Sequence, residues 1–503
     1  MAWALLPLAA AIGLIVPDDA SAQVWRREAR VDASVTATTN GAGRPRGLEE
    51  SEVLLGVTPG LRVRREAADY SLNLSGSLEL LGSLNGTRET EVLPRLEALL
   101  NSTLVDRWLY LDASASVRQV EVDPFLGRSS PGAGNNVRRA EYLQVRPYIR
   151  HEFSPRVEFE AALEETYTSV QNDEAANARV HAGRIALRGK PRPLGFGLEY
   201  QRQDTRYVEI KEGSWELETA RASVQALLFD ELVLSLIAGR EKTSSALAER
   251  NDDILGLGVR WVPGPRTEFE GQVERRFFGN GFKARASHRT PFWSFSGSMQ
   301  REPASSTASF GGLSSGETLG DFLDAILTTR FPDPAQRAAL VDSLLASRGL
   351  PTELARALEL LAGYAQLNTG GSATIAYLSP RTTASLTVFA QSLRLLTTDD
   401  ALPVAASVRT DDARQGGVEL NASYLLARDS RITARGRWLQ VRGLGLREGE
   451  RTTDRDLRVF WTINLSPRTE ASFGPYWRSV TTNSTTSASF RETAVQALLS
   501  HRF

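Results

Sequence analysis

Four histidines, His151, His181, His288 and His501, are the side chains best suited to near-neutral proton transfer or imidazole metal ligation. No two stand at the i, i+2 or i, i+4 spacing of a metal site, and no HExxH is present. Ser287 and His288 are adjacent in an alternating stretch, so they fall on opposite faces of a strand and cannot pair as nucleophile and base. Glu164 and Glu165 diverge in the same way. Cysteine is absent, which removes disulfides, thiolate metal sites and a cysteine nucleophile. Pro263-Gly264-Pro265 and Gly311-Gly312 are turn material rather than phosphate cradles. These residues argue against an enzyme and call for no metal and no cofactor.

The chemistry that remains is electrostatic. Arg146 and Arg150 precede, across a Ser-Pro-Arg turn, Glu158, Glu160 and Glu164. Glu268, Glu270 and Glu274 precede, across a short Gly-Asn turn, Lys283, Arg285 and Arg289. On adjacent antiparallel strands such ladders form cross-strand ion pairs that stiffen a wall. The functional alternative is a charged constriction that selects solutes. Opposite signs face each other rather than one sign accumulating, which favours stiffening.

The elements that must position these ladders are hairpins. Ser-Pro-Arg occurs at 154–156, 379–381 and 466–468, with Pro263-Gly264-Pro265-Arg266 as a variant. Each joins runs in which apolar and polar residues alternate, the signature of paired strands. Val31, Ala33, Val35 and Ala37 alternate with Asp32, Ser34, Thr36 and Thr38, and the rhythm continues to Phe503. We count about 22 such segments, within a range of about 18–22, most of about 9–11 residues, the length a tilted strand needs to cross a bilayer. Short turns alternate with longer Gly/Asn/Thr-rich loops at 40–49, 82–91, 120–138, 207–214, 242–251, 395–411 and 443–453. That alternation places short turns in the periplasm, long loops outside, and makes the strand number even. The expected fold is all-β: a transmembrane antiparallel up-and-down β-barrel in the bacterial outer membrane.

Aromatic residues support this. Trp108, Phe153, Phe159, Phe196, Trp261, Phe292, Trp293, Trp461, Phe473 and Trp477 mark strand ends, as interfacial girdles do. Leu499, His501 and Phe503 share one face of a final strand that ends on an aromatic, the form of a barrel assembly signal. Expected partners are outer-membrane lipid and the barrel assembly machinery.

One region breaks the rhythm. Residues 302–372 carry a helical insert expected in an extracellular loop, as plug, lid or partner-binding element. Ser314-x-x-Glu317 reads as a capping box ahead of Leu319, Phe322, Leu323 and Ile326. Asp333-Pro334 starts a second helix that stops at Gly349, and Pro351-Thr352 starts a third.

Bulk numbers set the bounds. The 503 residues carry 59 Lys+Arg against 60 Asp+Glu, a balance that gives no reason to expect nucleic acid. Mean hydropathy is −0.25, which a barrel tolerates because half of each strand faces a polar lumen. Residues 1–22 read as a signal peptide: residues 3–16 are apolar, broken by Pro7 and Gly13, and Ala20-Ser21-Ala22 is a cleavage site, although no basic residue follows Met1. The barrel would occupy 23–503. Transporters of the TonB type with about 22 strands carry a large N-terminal plug; here strand patterning begins near Ala29, which argues against that class unless the insert substitutes.

The order of these features resembles a known family. It is carried by Glu52-Val53-Leu54-Leu55-Gly56-Val57-Thr58-Pro59-Gly60-Leu61, by Leu109-Tyr110-Leu111-Asp112-Ala113-Ser114-Ala115, and by Pro147-Tyr148-Ile149-Arg150-His151-Glu152-Phe153. It continues in Gly258-Val259-Arg260-Trp261-Val262-Pro263-Gly264-Pro265-Arg266-Thr267, Arg276-Phe277-Phe278-Gly279-Asn280, Ser287-His288-Arg289-Thr290 and Phe331-Pro332-Asp333-Pro334. The chain resembles the outer-membrane barrels associated with PEP-CTERM/exosortase systems, found near exopolysaccharide gene clusters. The resemblance implies a passive conduit or scaffold in exopolysaccharide export or assembly, with polysaccharide or export-system proteins as partners. It transfers no catalytic residues. The alternatives are a structural surface barrel that binds a partner through its insert and, less favoured, an outer-membrane enzyme.

Overall fold

The computed structural model describes residues 25–84, 90–121, 123–126, 136–172, 177–208, 214–245, 249–304, 318–351, 354, 365–396, 412–484 and 487–503. The expected signal peptide and the third helix of the insert lie outside them, as do Ser314 and Glu317. The first half of the wall is β1 (Arg26–Thr38), β2 (Glu52–Glu66), β3 (Tyr70–Ser83), β4 (Glu91–Val105), β5 (Leu109–Glu121), β6 (Val137–Ser154), β7 (Val157–Val170), β8 (Ala178–Gly189), β9 (Leu194–Tyr207), β10 (Trp215–Phe229) and β11 (Leu232–Ser245). The second half is β12 (Glu249–Gly264), β13 (Thr267–Arg276), β14 (Gly279–Arg289), β15 (Trp293–Ala304), β16 (Gln366–Leu378), β17 (Thr382–Leu395), β18 (Ala413–Leu425), β19 (Ser430–Gly443), β20 (Arg451–Ser466), β21 (Thr469–Thr482) and β22 (Phe490–Arg502).

Every strand pairs antiparallel with its sequence neighbours, and β1 pairs with β22, so the 22-stranded sheet closes on itself. Closure leaves no unpaired strand edge, the condition for spanning a bilayer with strands. At the seam, buried Thr38 on β1 donates its hydroxyl to Glu492 on β22 (2.8 Å), and the Tyr476 hydroxyl donates to the same carboxylate (2.7 Å). No helix among the described residues is long and apolar enough to cross a membrane; the crossing is made by strands.

The sheet is apolar outside and polar inside. On β7, Phe159, Leu163 and Tyr167 face out, while Glu160, Thr166 and Thr168 are buried towards the lumen. On β18, Leu420 and Tyr424 face out and Gln415, Glu419, Asn421 and Ser423 are buried inside. The molecule is therefore an outer-membrane β-barrel. The connections that follow even-numbered strands are all two to four residues long and gather at one end, with the start of β1 and the end of β22. By the usual asymmetry this end is periplasmic.

The aromatic girdle forms beside these turns. Trp108 stacks on His151 (3.9 Å between ring centroids), which meets Phe153 edge-on, and Trp293 packs on Phe295 and Tyr377. At the end of β22, His501 meets Phe503 edge-on and hydrogen-bonds Thr469 (2.9 Å), with Leu499 on the same outward face.

Beyond the expected loop at 242–251, which is largely paired strand with Lys242 opposite Asn251, two expectations change. The turn between β13 and β14 is Phe277-Phe278, not Gly-Asn: the register ends on Arg276 opposite Gly279, whose φ of +94° explains the glycine, and Asn280 already lies within β14. The tip turns there because the buried Glu241 carboxylate accepts the Phe277 N–H (2.7 Å). Second, β15 runs to Ala304 and β16 starts at Gln366, so the connection is 305–365 rather than 302–372.

Candidate functional site

The lumen is the candidate site, because charge, cavity and insert all meet there. The first ladder forms as its spacing indicates. Arg146 binds Glu160 at 3.1 Å, and Arg150 binds Glu160 at 3.0 Å and Glu158 at 3.6 Å. Glu164 faces the lumen on the same strand but joins no ion pair among the described residues.

The second ladder does not form as expected. Glu270 and Arg285 stand opposite each other in register without an ion pair between them. Glu268 pairs back to Arg260 on β12 (2.9 Å), and Lys283 pairs forward to Glu302 on β15 (2.5 Å). Arg289 donates to two carbonyls, Pro265 O and Ala325 O. Glu274 reaches past β12 and β11 to Arg221 on β10 (3.0 Å). The physical reason is room. A Cβ on Gly256 of β12 would lie 2.8 Å from Glu274 Cγ, so only glycine lets that side chain lie across the strand.

The two ladders are parts of one girdle whose further members were not singled out from the sequence. Asp112, Arg146, Glu160, Arg184, Glu199, Arg221, Glu274, Arg276 and Glu241 follow one another with alternating sign and N···O distances of 2.6–3.8 Å. The chain of pairs runs from β5 to β13. Arg184, Glu199 and Arg221 were legible as charges on inward positions of alternating strands. Two pairs could not be read from spacing, because Arg221–Glu274 and Arg276–Glu241 skip strands.

The insert lies inside the barrel. Helix α1 (Leu319–Leu327) begins with a capping box in which the Thr318 hydroxyl accepts the Asp321 N–H and the Asp321 carboxylate accepts the Thr318 N–H. Helix α2 (Pro334–Arg348) ends at Gly349 with φ +62°. Leu319, Phe322, Leu323, Ile326 and Leu327 bury against Val341 and Leu350, and against Ala376 and Leu378 on the lumenal face of β16. Leu378 is the last residue before the periplasmic Ser379-Pro380-Arg381 turn. A connection that leaves the wall at the outer end thus reaches down to the periplasmic end.

Polar contacts fix it there. Arg348, only 4% exposed, donates to the carbonyls of Arg381 (2.7 Å), Pro380 (2.7 Å) and Ser379 (3.4 Å). Burial with no carboxylate beside it pushes the Arg348 pKa down. Arg289 of β14 caps the Ala325 carbonyl in the last turn of α1, Arg337 ties α2 to Asp324 of α1 (2.6 Å), and Asp342 pairs with Arg64 on the lumenal face of β2. Gly349 sits against Arg431 on β19. The anchors therefore span from β14 through β19 to β2.

A second obstruction enters at the outer end. Phe125, from the connection between β5 and β6, is fully buried against Phe389, Leu393, Ala413, Leu439 and Val441 on the lumenal faces of β17–β19. The Arg447 guanidinium lies 3.9 Å above its ring and binds Asp123 (3.0 Å) and Glu450 (2.8 Å), while the Thr452 hydroxyl donates to the Phe125 carbonyl (3.0 Å). Hydrogen bonding from Arg447 holds the Glu450 carboxyl below the usual range. These strands lie nearly opposite β5 and β6, so residues 123–126 reach across the mouth. Sequence offered one signal for it, a lone aromatic beside Asp123 in a polar loop. A cavity of about 1360 Å³ lies along the inner wall from β8 to β17, lined by Arg184, Arg221, Gln201, Gln272, Asn368 and Gln391 among others, and touching Phe389 and Leu393.

No family model matches the chain, and no curated protein matches it. Among solved structures it is similar to the FrpB iron transporter from Neisseria meningitidis (F3-3 variant), with 11% identity, a TM-score of 0.47, and coverage of 95% of this chain and 81% of that one. It is also similar to the ferric-catecholate import receptor Fiu from E. coli K12, with 8% identity, a TM-score of 0.43, and coverage of 95% and 82%. For the copper transporter OprC the values are 10%, 0.40, 97% and 82%. No site or role is carried over from them.

Proposed function

We propose that this outer-membrane barrel is a gated conduit for polar, hydroxyl-rich solutes, narrowed at rest by its own connections. The observation that carries the reading is the anchoring of α1 and α2 in the lumen at the periplasmic end. Two helices side by side, one of 15 residues, cover roughly half of a lumen that strand spacing and tilt make ~30–35 Å wide inside the side chains. An extended polymer passes only where they leave space or after they move. The wall above them is lined by Gln, Asn, Ser, Thr, Arg and Glu, which suit sugar hydroxyls. Exopolysaccharide is the solute class that the sequence resemblance adds, and the conduit needs no catalytic residue to serve it. The inward position of the helices disfavours the alternative in which the insert binds a partner at the cell surface.

Planar-bilayer recording of the purified barrel tests this. Deleting residues 314–364 should raise single-channel conductance, and long oligosaccharides should then block the current. A barrel that conducts neither with nor without those residues would refute the conduit.

A further inference from the structure

The outward face at the outer end of the barrel carries charge of two kinds. On β7–β12 it is paired: Arg179–Glu165 at 2.7 Å, Arg202–Glu216 at 2.8 Å, Arg240–Asp253 at 3.2 Å and Lys242–Glu249 at 2.8 Å. On β18–β22 it is not. Arg414, Arg442, Arg451, Arg455 and Arg491 are exposed and point outward, and none forms an ion pair among the described residues. The one side-chain contact among them is Arg442 Nε donating to Gln440 Oε1 (2.8 Å). The carboxylates on these strands, including Glu419, Asp454, Asp456 and Glu492, point into the lumen, where Glu419 binds Arg435 and Asp454 binds Arg478.

The register sharpens the imbalance. Arg414 stands directly opposite Arg442, and Arg442 directly opposite Arg451. Like charges opposite each other on one sheet face repel, with Cα atoms only about 4.5–5.5 Å apart. Below this row, Arg455 on β20 and Arg491 on β22 both stand opposite Ser479 of β21. Directly towards the membrane centre lie Val418, Leu420, Trp438, Leu457, Val459 and Val495 on the same outward face. An anion that satisfies the arginines from outside is therefore attached to something apolar that runs down the wall.

We propose that this patch binds the phosphate groups of a phosphorylated glycolipid of the outer leaflet, with acyl chains lying on Leu420, Leu457 and Val495. Guanidinium forks match phosphate oxygens in bidentate pairs. The Arg414–Arg442–Arg451 row and Arg455, about 13 Å further along β20 at the strand rise per residue, give reach for two phosphates on one headgroup. No divalent cation is required, because among the described residues the outward faces of β18–β22 offer no carboxylate to bridge. The mixed-charge side of the barrel offers no such site, so the lipid binds one side.

Native mass spectrometry of the full chain in detergent, titrated with bisphosphorylated lipid A, tests the proposal. The wild type should retain bound lipid A, and R414Q/R442Q/R451Q should weaken binding at least tenfold while keeping heat-modifiable gel mobility. R202Q/R240Q/K242Q, on the paired side, should bind as the wild type does. Equal loss in both triple variants, or none in the first, overturns the site. Two measurements on the wild type stand even if a variant fails to fold. Dephosphorylated lipid A should bind at least tenfold more weakly, and equal binding overturns the phosphate assignment. Inorganic phosphate at 10 mM should leave the lipid bound, and its displacement by free phosphate overturns the lipid assignment.

Discussion

Glu160 shows what a single charge does in this wall. Its side chain is 5% exposed and faces three arginines, Arg146, Arg150 and Arg184. Replacing it with Gln leaves those cations facing one another. Breaking a buried pair by removing one partner costs about 3–5 kcal/mol, and the half-exposed Arg150 brings the expected loss for E160Q to about 2–3 kcal/mol. Equilibrium urea unfolding in lipid vesicles measures it, and a variant as stable as the wild type would show the girdle to be energetically idle. Glu450 carries the pH dependence of the outer closure. Its pKa lies below the ordinary carboxylate value because Arg447 hydrogen-bonds it. A group with a lowered folded-state pKa contributes stability above its unfolded value, about 4.3, and loses it as pH falls through the lowered one. The Phe125 loop should therefore hold at pH 5 and loosen only in stronger acid. Conductance recorded against pH should show an acid step that E450Q lacks.

At the scale of elements, the difference between the two ladders is a difference of distance in the chain. Arg146, Arg150 and Glu160 lie on strands joined by a two-residue turn, so spacing alone brings them together. Glu274 meets Arg221 across two intervening strands, and a glycine on the nearer of them makes that meeting feasible. G256A puts a methyl group 2.7 Å from the Val273 carbonyl and 2.8 Å from Glu274 Cγ. It should cost about 1–3 kcal/mol by overpacking, and combining it with R221Q should cost little more than G256A alone. Additive losses would show that the glycine acts independently of the pair. Strand number, facing, most of the short turns and both helices were legible because each follows from a local period or a cap. The placement of the insert was not. Its helices show an apolar stripe in sequence, but what covers the stripe is Ala376 and Leu378 on a wall strand, and what holds it is Arg348 on three backbone carbonyls. Backbone acceptors leave no trace in residue type. The Ser-Pro-Arg turn at 379–381 reads as a bare hairpin signal and proves to be the anchor of the insert.

For the molecule as a whole, two closures in series make a prediction that neither makes alone. The Phe125 loop obstructs the outer end, and α1 and α2 obstruct the periplasmic end, while the cavity runs along the wall and reaches Phe389 and Leu393 of the outer closure. Resistances in series add, so loosening one leaves the other to limit the current. R348Q removes the guanidinium that binds three turn carbonyls, and F125A empties the pocket formed by Phe389, Leu393, Leu439 and Val441. Each single variant should raise conductance modestly, at most about twofold if the two obstructions contribute equally. The double variant should exceed the sum of the two increments. The barrel wall itself is untouched by either change, because its closure rests on the β1–β22 seam at Thr38 and Glu492. Heat-modifiable mobility should therefore be unaltered in all three. If R348Q alone gives the full increase, the outer loop is no barrier and control lies with the insert. If F125A alone gives it, the helices leave the larger opening and the outer mouth is the gate.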